Sequence, residues 1–445
     1  MADIHHRLAN LGTAIPEIML PQAGVDLEKW AVIACDQFTQ NRTYWEEAAA
    51  HVGDAPSTLS MIFPEVYLPD DGREERIRRI HAAMDRMISG GVLAPPRRAG
   101  VYVERSTPFH PCRRGLVLAV DLEQYDWAPE SRRLIRTTEG TVPERLPPRM
   151  EIRRGAALEI PHILLLINDK EDALLPGLGD RARRTPPVYD TPLMMNSGGI
   201  RGWLVEEEGD WAFLAQGLEA LARGGGGGLQ ARPFLYAVGD GNHSLATAKA
   251  VWDEYKQGHG GPGVMNHPAR WALVEVENIY DPGLGFEPIH RVVFGVSPGA
   301  IRGALSGLPG FSSRAVGRAE LVRLVGEGAA KNRLGLIAGA DCTLIESEAP
   351  GLVTDSLQPL LDALILDKKS RDPEVSIDYI HGEEELFNLT GAARAVGLLL
   401  PPIAKGGLFE TVARSGPLPR KSFSMGEAEE KRFYLECRKL FTSGA

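Results

Sequence analysis

The spacing of apolar residues along the chain predicts alternating helices and strands. Between residues 73 and 89, apolar side chains recur every three or four positions, as on the buried face of an amphipathic helix. Short runs rich in β-branched residues at 100–104 and 115–121 have the length and composition of strands. Near the end of the chain, the pattern of residues 427–441 predicts a charged amphipathic helix.

The same criteria assign elements in the rest of the sequence. They predict strands at 160–167, 234–238, 270–277 and 334–338, and helices at 204–223 and 320–325. The spacings between strands suit both hairpins and helical crossovers. The pattern therefore predicts an α/β (α+β) fold with a mixed sheet.

The length of 445 residues is enough for two or three domains. A second α/β stretch begins at residue 296. We therefore expect an N-terminal lobe of residues 1–295 and a C-terminal α/β lobe with its tail at residues 296–445.

One stretch joins a strand, a tight turn and the start of a helix. After the apolar residues 234–238, Gly239 and Gly241 permit a tight turn, and Asn242 or Ser244 can cap the helix that follows. Such a junction directs backbone N–H groups and the positive end of the helix dipole at one point. The sequence therefore predicts a site for an anion such as phosphate.

Two side chains in this turn can do chemistry. Asp240 can hold a metal ion or accept a proton, and His243 can donate to a phosphate oxygen. The alternative is an ordinary turn, since Asp-Gly-Asn is a common turn sequence and His often lies at a helix start. The stretch is not a P-loop, because no G-x-x-x-x-G-K-[ST] occurs, and Ser244 replaces the third glycine of G-x-G-x-x-G.

Two further clusters could supply groups to an anion. In the loop 133–145, Arg136 could bind phosphate and Glu139 could transfer a proton, although a solvated loop with ion pairs is the alternative. Near the C-terminus, Arg420 and Lys421 lie in a cationic, hydroxyl-rich loop, for which a solvated basic turn is the alternative.

Composition narrows the class of protein. A formal charge of −10 and a pI near 5.7 argue against a general nucleic-acid binder. The four cysteines are far apart, which makes a disulfide framework or a cysteine-built zinc site unexpected. No run of 18 apolar residues occurs, so we expect a cytoplasmic protein that does not span a membrane. We expect its partner to be a small molecule.

Taken together, these motifs resemble the family called domain of unknown function 1015. The similarity begins with Ala-Cys-Asp-Gln-Phe-Thr at residues 34–39 and extends over nearly the whole chain. The stretches that carry it are 34–39, 44–45, 56–59, 62–66, 135–140, 145–149, 238–246, 286–291, 378–382 and 419–426.

The Asp-Gly-x-His turn of this family is similar to that of the ParB/sulfiredoxin-like superfamily, which binds nucleotide phosphates at such a turn. That superfamily includes free-serine kinases. The resemblance implies a ParB/sulfiredoxin-like core in the N-terminal lobe with an additional α/β lobe. Those kinases usually have Arg after the His, where this chain has Ser244. Arg136, Arg420 or Lys421 would then have to supply the missing cation.

The resemblance implies a small-molecule phosphotransferase that uses ATP, ADP or pyrophosphate as donor and Mg²⁺ as cofactor. In this hypothesis Asp240 holds the metal or the incoming hydroxyl, His243 contacts phosphate oxygens, and Glu139 is the general base. Arg136, Arg420, Lys421 and the turn residues Gly239, Gly241, Asn242 and Ser244 would bind phosphate. The acceptor would be a small hydroxyl compound such as serine. The alternative is a non-catalytic nucleotide-binding regulator or scaffold, which the replacement of Arg by Ser244 favours.

Overall fold

The computed structural model describes residues 2–224, 234–261, 263–327, 332–349, 352–370, 372–391, 394–403, 405–419 and 421–441. The chain forms two compact units. The first comprises Met1–Leu284 and Glu427–Ala445, and the second comprises Gly285–Gly426.

The first unit contains both helices and strands. Its described helices are α1 (Ala2–Asn10), α2 (Leu27–Trp30), α3 (Arg42–Val52), α4 (Arg73–Ser89), α5 (Leu146–Arg153), α6 (Leu174–Ala182), α7 (Glu208–Gly224) and α8 (Asn242–Gly258). Its described strands are β1 (Thr13–Ala14), β2 (Glu17–Ile18), β3 (Val32–Ile33), β4 (Arg97–Arg98), β5 (Gly100–Ser106), β6 (Arg113–Asp121), β7 (Tyr125–Asp126), β8 (Ile135–Thr137), β9 (Leu158–Glu159), β10 (Leu164–Ile167), β11 (Tyr189–Pro192), β12 (Gly199–Val205), β13 (Tyr236–Asp240) and β14 (Trp271–Asn278), with β22 (Phe433–Tyr434) and β23 (Arg438–Lys439) from the C-terminal tail.

Ten of the described strands form the main sheet of the first unit. Their order is β11-β12-β5-β6-β14-β10-β13-β8-β7, and β1 pairs with β6. β10 runs parallel to β14, and β8 runs parallel to both β13 and β7, whereas the other neighbours are antiparallel. The predicted α/β fold with a mixed sheet is confirmed.

Helix α8 packs on this sheet through the face that the sequence predicts. Leu245, Ala248 and Trp252 are fully buried, as are Tyr236 and Val238 of the preceding strand. Burial of each of the larger side chains among them contributes about 1.5–3 kcal/mol to the stability of the fold. This packing fixes the end of β13 and the beginning of α8, and therefore the turn between them.

The C-terminal tail does not form the predicted helix. Residues 427–441 contain one short 3₁₀ turn at Ala428–Glu430 and two short strands, of which β22 pairs with β3 and β23 pairs with β9. The charged positions that a helix would expose are buried, with Arg432 at 2% and Glu436 at 0% exposure. These side chains form ion pairs inside the first unit, so long-range contacts override the local helical pattern.

The second unit is a smaller α/β lobe. Its described strands are β15 (Phe286–Phe294), β16 (Ser312–Val316), β17 (Asn332–Ala338), β18 (Asp341–Ser347), β19 (Ser376–His381), β20 (Ala395–Leu399) and β21 (Phe423–Met425), and its described helices are α9 (Pro298–Leu305), α10 (Arg318–Gly326), α11 (Val353–Lys369), α12 (Glu383–Thr390) and α13 (Leu408–Ser415). The sheet order is β16-β18-β17-β20-β15-β19, with β21 paired to β15. Separate apolar clusters involve α9 with α11 and α10 with α12.

The division of the chain differs from the sequence-based boundary at residues 295 and 296. That boundary places β15 in the first lobe, whereas β15 pairs with β19, β20 and β21 of the second unit. It also places the tail in the C-terminal lobe, whereas the tail belongs to the first unit because its strands pair there.

Most predicted elements are confirmed with shifted ends. The helix predicted at 73–89 coincides with α4, and the strand predicted at 160–167 is reduced to β10. Pro161 lacks an amide N–H and cannot donate within a sheet ladder, which accounts for the later start of that strand. The helix predicted at 204–223 begins at Glu208 because β12 continues to Val205.

Candidate functional site

The turn between β13 and α8 has the geometry that an anion site requires. Gly241 adopts a positive φ of 77° and precedes a helix of 17 residues. A Cβ atom at Gly241 would lie 3.1 Å from the Cα atom of Ile163, so glycine satisfies both the conformation and the close approach. No side chain among the described residues caps the helix, and its first turn contains no acidic residue. Its first N–H groups therefore favour an anion.

A buried lysine from the C-terminal tail supplies positive charge at this turn. One oxygen of Asp240 accepts from the Gly241 amide at 2.9 Å, and the other lies 3.3 Å from Nζ of Lys431. The Lys431 side chain is 9% exposed and that of Asp240 is 22% exposed. Lys431 therefore places a positive charge at the turn, where the sequence hypothesis expected Arg136, Arg420 or Lys421.

Two arginines of the main sheet hold the tail that carries Lys431. Arg105 donates to the backbone carbonyls of Glu429, Glu430 and Lys431, and Arg113 donates to the carbonyl of Glu430 at 2.9 Å. Hydrogen bonds from a charged donor are stronger than neutral ones. They fix the backbone of Lys431 and place its side chain at the turn.

The loop 133–145 lies directly against the turn, as the hypothesis requires of Glu139. The hydroxyl of Thr138 donates to the carbonyl of Val238, and that of Thr137 lies within hydrogen-bond distance of both the Glu139 carbonyl and the Asn242 side chain. The amide of Val142 donates to Nε2 of His243 at 3.4 Å. The backbone of Glu139 therefore lies close in space to the first residues of α8. The role of Glu139 as a base stays a prediction.

Of the three cations that the sequence hypothesis named, Arg136 belongs to the same unit as Asp240 but lies at the other end of β13. The guanidinium of Arg136 lies 4.7 Å from the centroid of the Phe234 ring and donates to the Arg133 carbonyl. Phe234 precedes β13, whereas the turn lies at the opposite end of that strand. Lys421 is an exposed residue of the second unit, with a φ of 59°. Arg420 lies outside the described residues.

A cavity of about 140 Å³ lies beside the first two turns of α8. Ser244 and Thr247 contribute to its wall, as does Ile163, which also contacts the turn at Gly241. Its polar lining residues are Cys35, Glu65, Arg149, Arg153, Glu159, His162, Ser244, Thr247 and Tyr434. Its apolar lining residues are Met61, Ile62, Phe63, Leu68, Met84, Ile152, Ala156, Leu158, Ile160, Ile163, Leu273 and Leu440.

A chain of hydrogen bonds links the cavity wall to Ser244. The amide of Cys35 donates to the Tyr434 hydroxyl oxygen at 3.0 Å, and that oxygen lies 2.9 Å from Nδ1 of His162. The donor and acceptor roles in this chain depend on the tautomer of His162. Nε2 lies 2.7 Å from Oγ of Ser244. One tautomer donates to the Ser244 oxygen, and the other accepts from the Ser244 hydroxyl.

The charged groups of the cavity wall are paired. Arg149 donates through Nε to Glu65 at 2.8 Å, while Glu159 accepts from both Arg153 and Arg438. Burial raises the pKa of Glu65, although Arg149 acts in the opposite direction. Each of these charged groups therefore has an oppositely charged partner, and the group around Glu159 carries one net positive charge.

Four of the sequence stretches that carry the family resemblance contribute residues to this cavity. Residues 34–39, 62–66, 145–149 and 238–246 contribute Cys35, Glu65, Arg149 and Ser244, among others. Burial raises the pKa of the Cys35 thiol, which disfavours a reactive thiolate. His162, Lys431 and Tyr434 are the site residues that sequence reasoning missed. His162 lies in a run that was interpreted as plain strand, and the other two lie in the tail.

The structure identifies neither a metal cluster nor a membrane span. Within the described ranges, no group of three or more His, Cys, Asp or Glu side chains is arranged to hold a metal ion. No helix in that part of the chain is both long and apolar enough to cross a membrane.

The chain matches the family described as Protein of unknown function (DUF1015) over residues 19–362, and it belongs to that family. Comparison with curated proteins gave no match.

Solved structures similar to this chain are distant in sequence. A free serine kinase variant in complex with ADP is 11% identical, covers 73% of this chain and 92% of its own, and has a TM-score of 0.39. A conserved hypothetical protein from Pyrococcus furiosus is 13% identical over 73% of this chain and 95% of its own, with a TM-score of 0.36. C-terminally truncated SbnI from Staphylococcus aureus is 11% identical, covers 72% of this chain and 82% of its own, and has a TM-score of 0.35. At such TM-scores the likeness says nothing about activity.

Proposed function

We propose that this protein is a phosphotransferase that binds the phosphates of ATP, ADP or pyrophosphate at the turn between β13 and α8. One observation carries the proposal. A helix start without a side-chain cap among the described residues or an acidic first turn lies beside the buried cation Lys431 and a cavity lined by Ser244. This arrangement offers backbone N–H groups and a positive charge to phosphate next to room for an acceptor.

Phosphoryl transfer depends chiefly on neutralising charge and positioning the groups in line. In this proposal the first N–H groups of α8, His243 and Lys431 contact the phosphate oxygens. Glu139 is a candidate base for the acceptor hydroxyl, because the loop that carries it contacts Asn242. Asp36, with Oδ2 at 3.8 Å from Nε2 of His162, is a second candidate that the structure adds.

The carboxylate of Asp240 is the group at the turn that could interact with Mg²⁺. Mg²⁺ is commonly held by one or two carboxylates together with substrate phosphates. Asp240 could fill that role if Lys431 moved from the carboxylate to the phosphates, a shift that needs only a rearrangement of the pair 3.3 Å apart. We therefore expect nucleotide binding to be strengthened by Mg²⁺.

The test is nucleotide binding to the full chain, measured by titration calorimetry with ATP, ADP and pyrophosphate, each with and without Mg²⁺. A charged hydrogen bond is worth roughly 1.5–3 kcal/mol, so Lys431→Met should weaken binding about 10- to 100-fold. Lys249→Met is the matched control, since Lys249 is a 15% exposed lysine paired with Asp253 on α8. Failure of all three ligands to bind, or equal losses in both variants, would refute the phosphate site.

A non-catalytic nucleotide-binding regulator is the second candidate. The position at which free-serine kinases usually have Arg is held by Ser244, whose hydroxyl contacts Nε2 of His162. Incubation with labelled nucleotide and a panel of hydroxyl compounds separates the two functions. A phosphotransferase consumes nucleotide and produces a phosphorylated acceptor, whereas a regulator binds nucleotide at Lys431 and leaves it intact.

A further inference from the structure

The cavity beside α8 has the size of a binding site for one small molecule. Its volume of about 140 Å³ is close to that of an engineered apolar cavity of roughly 150 Å³, which binds benzene. A ligand of about six to eight non-hydrogen atoms therefore fits it.

Most of the wall is apolar. Side chains such as Met61, Phe63, Met84, Ile152 and Leu273 surround the space. A polyol or a zwitterion that entered this part of the cavity would lose its hydration without gaining hydrogen bonds, at a cost of several kcal/mol. The body of the ligand must therefore be hydrocarbon.

The charged residues of the wall already have partners in the protein. Arg149 is paired with Glu65, and Glu159 accepts from Arg153, Arg438 and the amide of Leu273. The first pair is neutral and the second group carries one net positive charge, but both of its arginines donate to the Glu159 carboxylate. An ion in the cavity would have to compete for these buried partners, which is costly. A neutral ligand leaves all of them paired, and we therefore expect the ligand to be neutral.

Ser244 offers a hydrogen-bonding position to such a ligand. The Ser244 hydroxyl has one donor and two acceptor sites and uses one of them in its contact with Nε2 of His162, so it can form a further hydrogen bond with a ligand hydroxyl. Ser244 lies in the first turn of α8, so an oxygen bound there is adjacent to the turn at Asp240.

We propose that the cavity binds a small neutral alcohol with a hydrocarbon body, held through its hydroxyl by Ser244, and that this alcohol is the phosphoryl acceptor. The second clause rests on the proposed function. In that step the alcohol oxygen bonds to the terminal phosphorus of the donor, the bond from phosphorus to the bridging oxygen breaks, and its electron pair leaves with the remaining phosphate. The hydroxyl proton passes to Glu139 or Asp36. A zwitterion such as serine is disfavoured as acceptor.

Binding is tested on the full chain by titration calorimetry with cyclohexanol and benzyl alcohol, and with benzene, glycerol and serine as comparison ligands. The two apolar alcohols should bind saturably and benzene more weakly, while glycerol and serine should not bind. Ser244→Ala should weaken the alcohols about 5- to 10-fold, as expected for one neutral hydrogen bond, and leave benzene unchanged. Ala156→Met should reduce binding of all three apolar ligands at least tenfold by filling the space.

The outcomes separate this inference from the phosphate site. Binding of serine or glycerol in preference to the alcohols would overturn it, as would absence of alcohol binding or an equal effect of Ser244→Ala on benzene. The comparison of cyclohexanol with benzene in unmodified protein decides the matter if a variant does not fold. Alcohol binding without any nucleotide binding would remove the acceptor role and the proposed function while leaving the cavity as a ligand site.

Discussion

The chain contains two strand–glycine–helix junctions with opposite electrostatics. In the first unit β13 leads through Gly241 into α8, and in the second unit β19 leads through Gly382 into α12. Both glycines have positive φ angles, 77° and 79°, but their ψ angles differ, at 29° and 138°. Neither helix is capped by a side chain of the described residues.

The first turns of these two helices differ in charge and in burial. Helix α12 begins with Glu383, Glu384 and Glu385, which are exposed and satisfy the positive end of the dipole themselves. Helix α8 begins with Asn-His-Ser, half-buried beside Lys431 and the cavity. A helix start that follows a glycine therefore does not define an anion site by itself. The proposed anion site depends on the lack of acidic residues in the first turn of α8 and on the nearby cation Lys431.

Acid should weaken the second junction through the strand that supports it. His290 of β15 pairs with Ile380 of β19, is 4% exposed, and accepts from the Leu400 amide at 3.1 Å. Burial, with help from Arg291 and His381, lowers the pKa of His290 to about 4. The unfolded chain binds this proton near pH 6.5, so the stabilisation is complete above pH 6.5 and is lost as the pH falls towards 4.

Over that range the second unit should lose about 3 kcal/mol of stability. Hydrogen exchange of the β15 and β19 amides in urea titrations at several pH values measures the loss. His290→Gln keeps a neutral acceptor for Leu400 and should flatten the dependence. The same slope in both proteins would assign the pH effect to other groups.

The two glycines should resist replacement by alanine for different reasons. The left-handed conformation of Gly241 costs a non-glycine residue about 1–2 kcal/mol, and its added Cβ would also press on Ile163 at 3.1 Å. At Gly382 the Cβ meets nothing within 4 Å in the described part of the chain, but a φ of 79° with a ψ of 138° lies close to a region that is essentially restricted to glycine. We expect Gly241→Ala to cost about 2–3 kcal/mol, from backbone and contact together, and Gly382→Ala to cost about 1–3 kcal/mol, from the backbone alone. Denaturant unfolding of the two variants measures both costs, and a cost of only about 1 kcal/mol for Gly241→Ala would mean that Ile163 moves aside.

The anion-ready turn could be predicted because its signals are local. Gly239, Gly241 and the apolar face of α8 lie within a few residues of one another, so sequence spacing alone gives the strand, turn and helix. The mixed sheet followed in the same way from strand-length apolar runs.

The rest of the site depends on contacts between residues far apart in the chain. Tyr434 meets His162 across 272 positions, and no periodicity records such a contact. The tail has a helical pattern in its sequence, but Arg105 and Arg113 bind its backbone carbonyls. These hydrogen bonds hold the tail in a non-helical conformation that places Lys431 at the turn. The sequence hypothesis sought the cation among Arg136, Arg420 and Lys421, and it interpreted the tail as a charged amphipathic helix.

A change of one amide to a carboxylate tests the electrostatic contrast with the least disturbance. Asn242→Asp keeps the oxygen near the Thr137 hydroxyl and gives α8 an acidic first turn, as in α12. The charge should stabilise the helix by about 0.3–1 kcal/mol, whereas its repulsion of phosphate should weaken nucleotide binding about tenfold, or roughly 1.4 kcal/mol. Glu384→Gln removes a charge from the first turn of α12 in the second unit. It should lower the stability by a similar amount and leave nucleotide binding unchanged.

Thermal unfolding measures the effect on stability, and calorimetry independently measures the effect on nucleotide binding. Because damage to the fold would lower stability and affinity together, opposite signs for Asn242→Asp can arise only if the first turn of α8 faces the anion, and equal affinities would place the phosphates elsewhere.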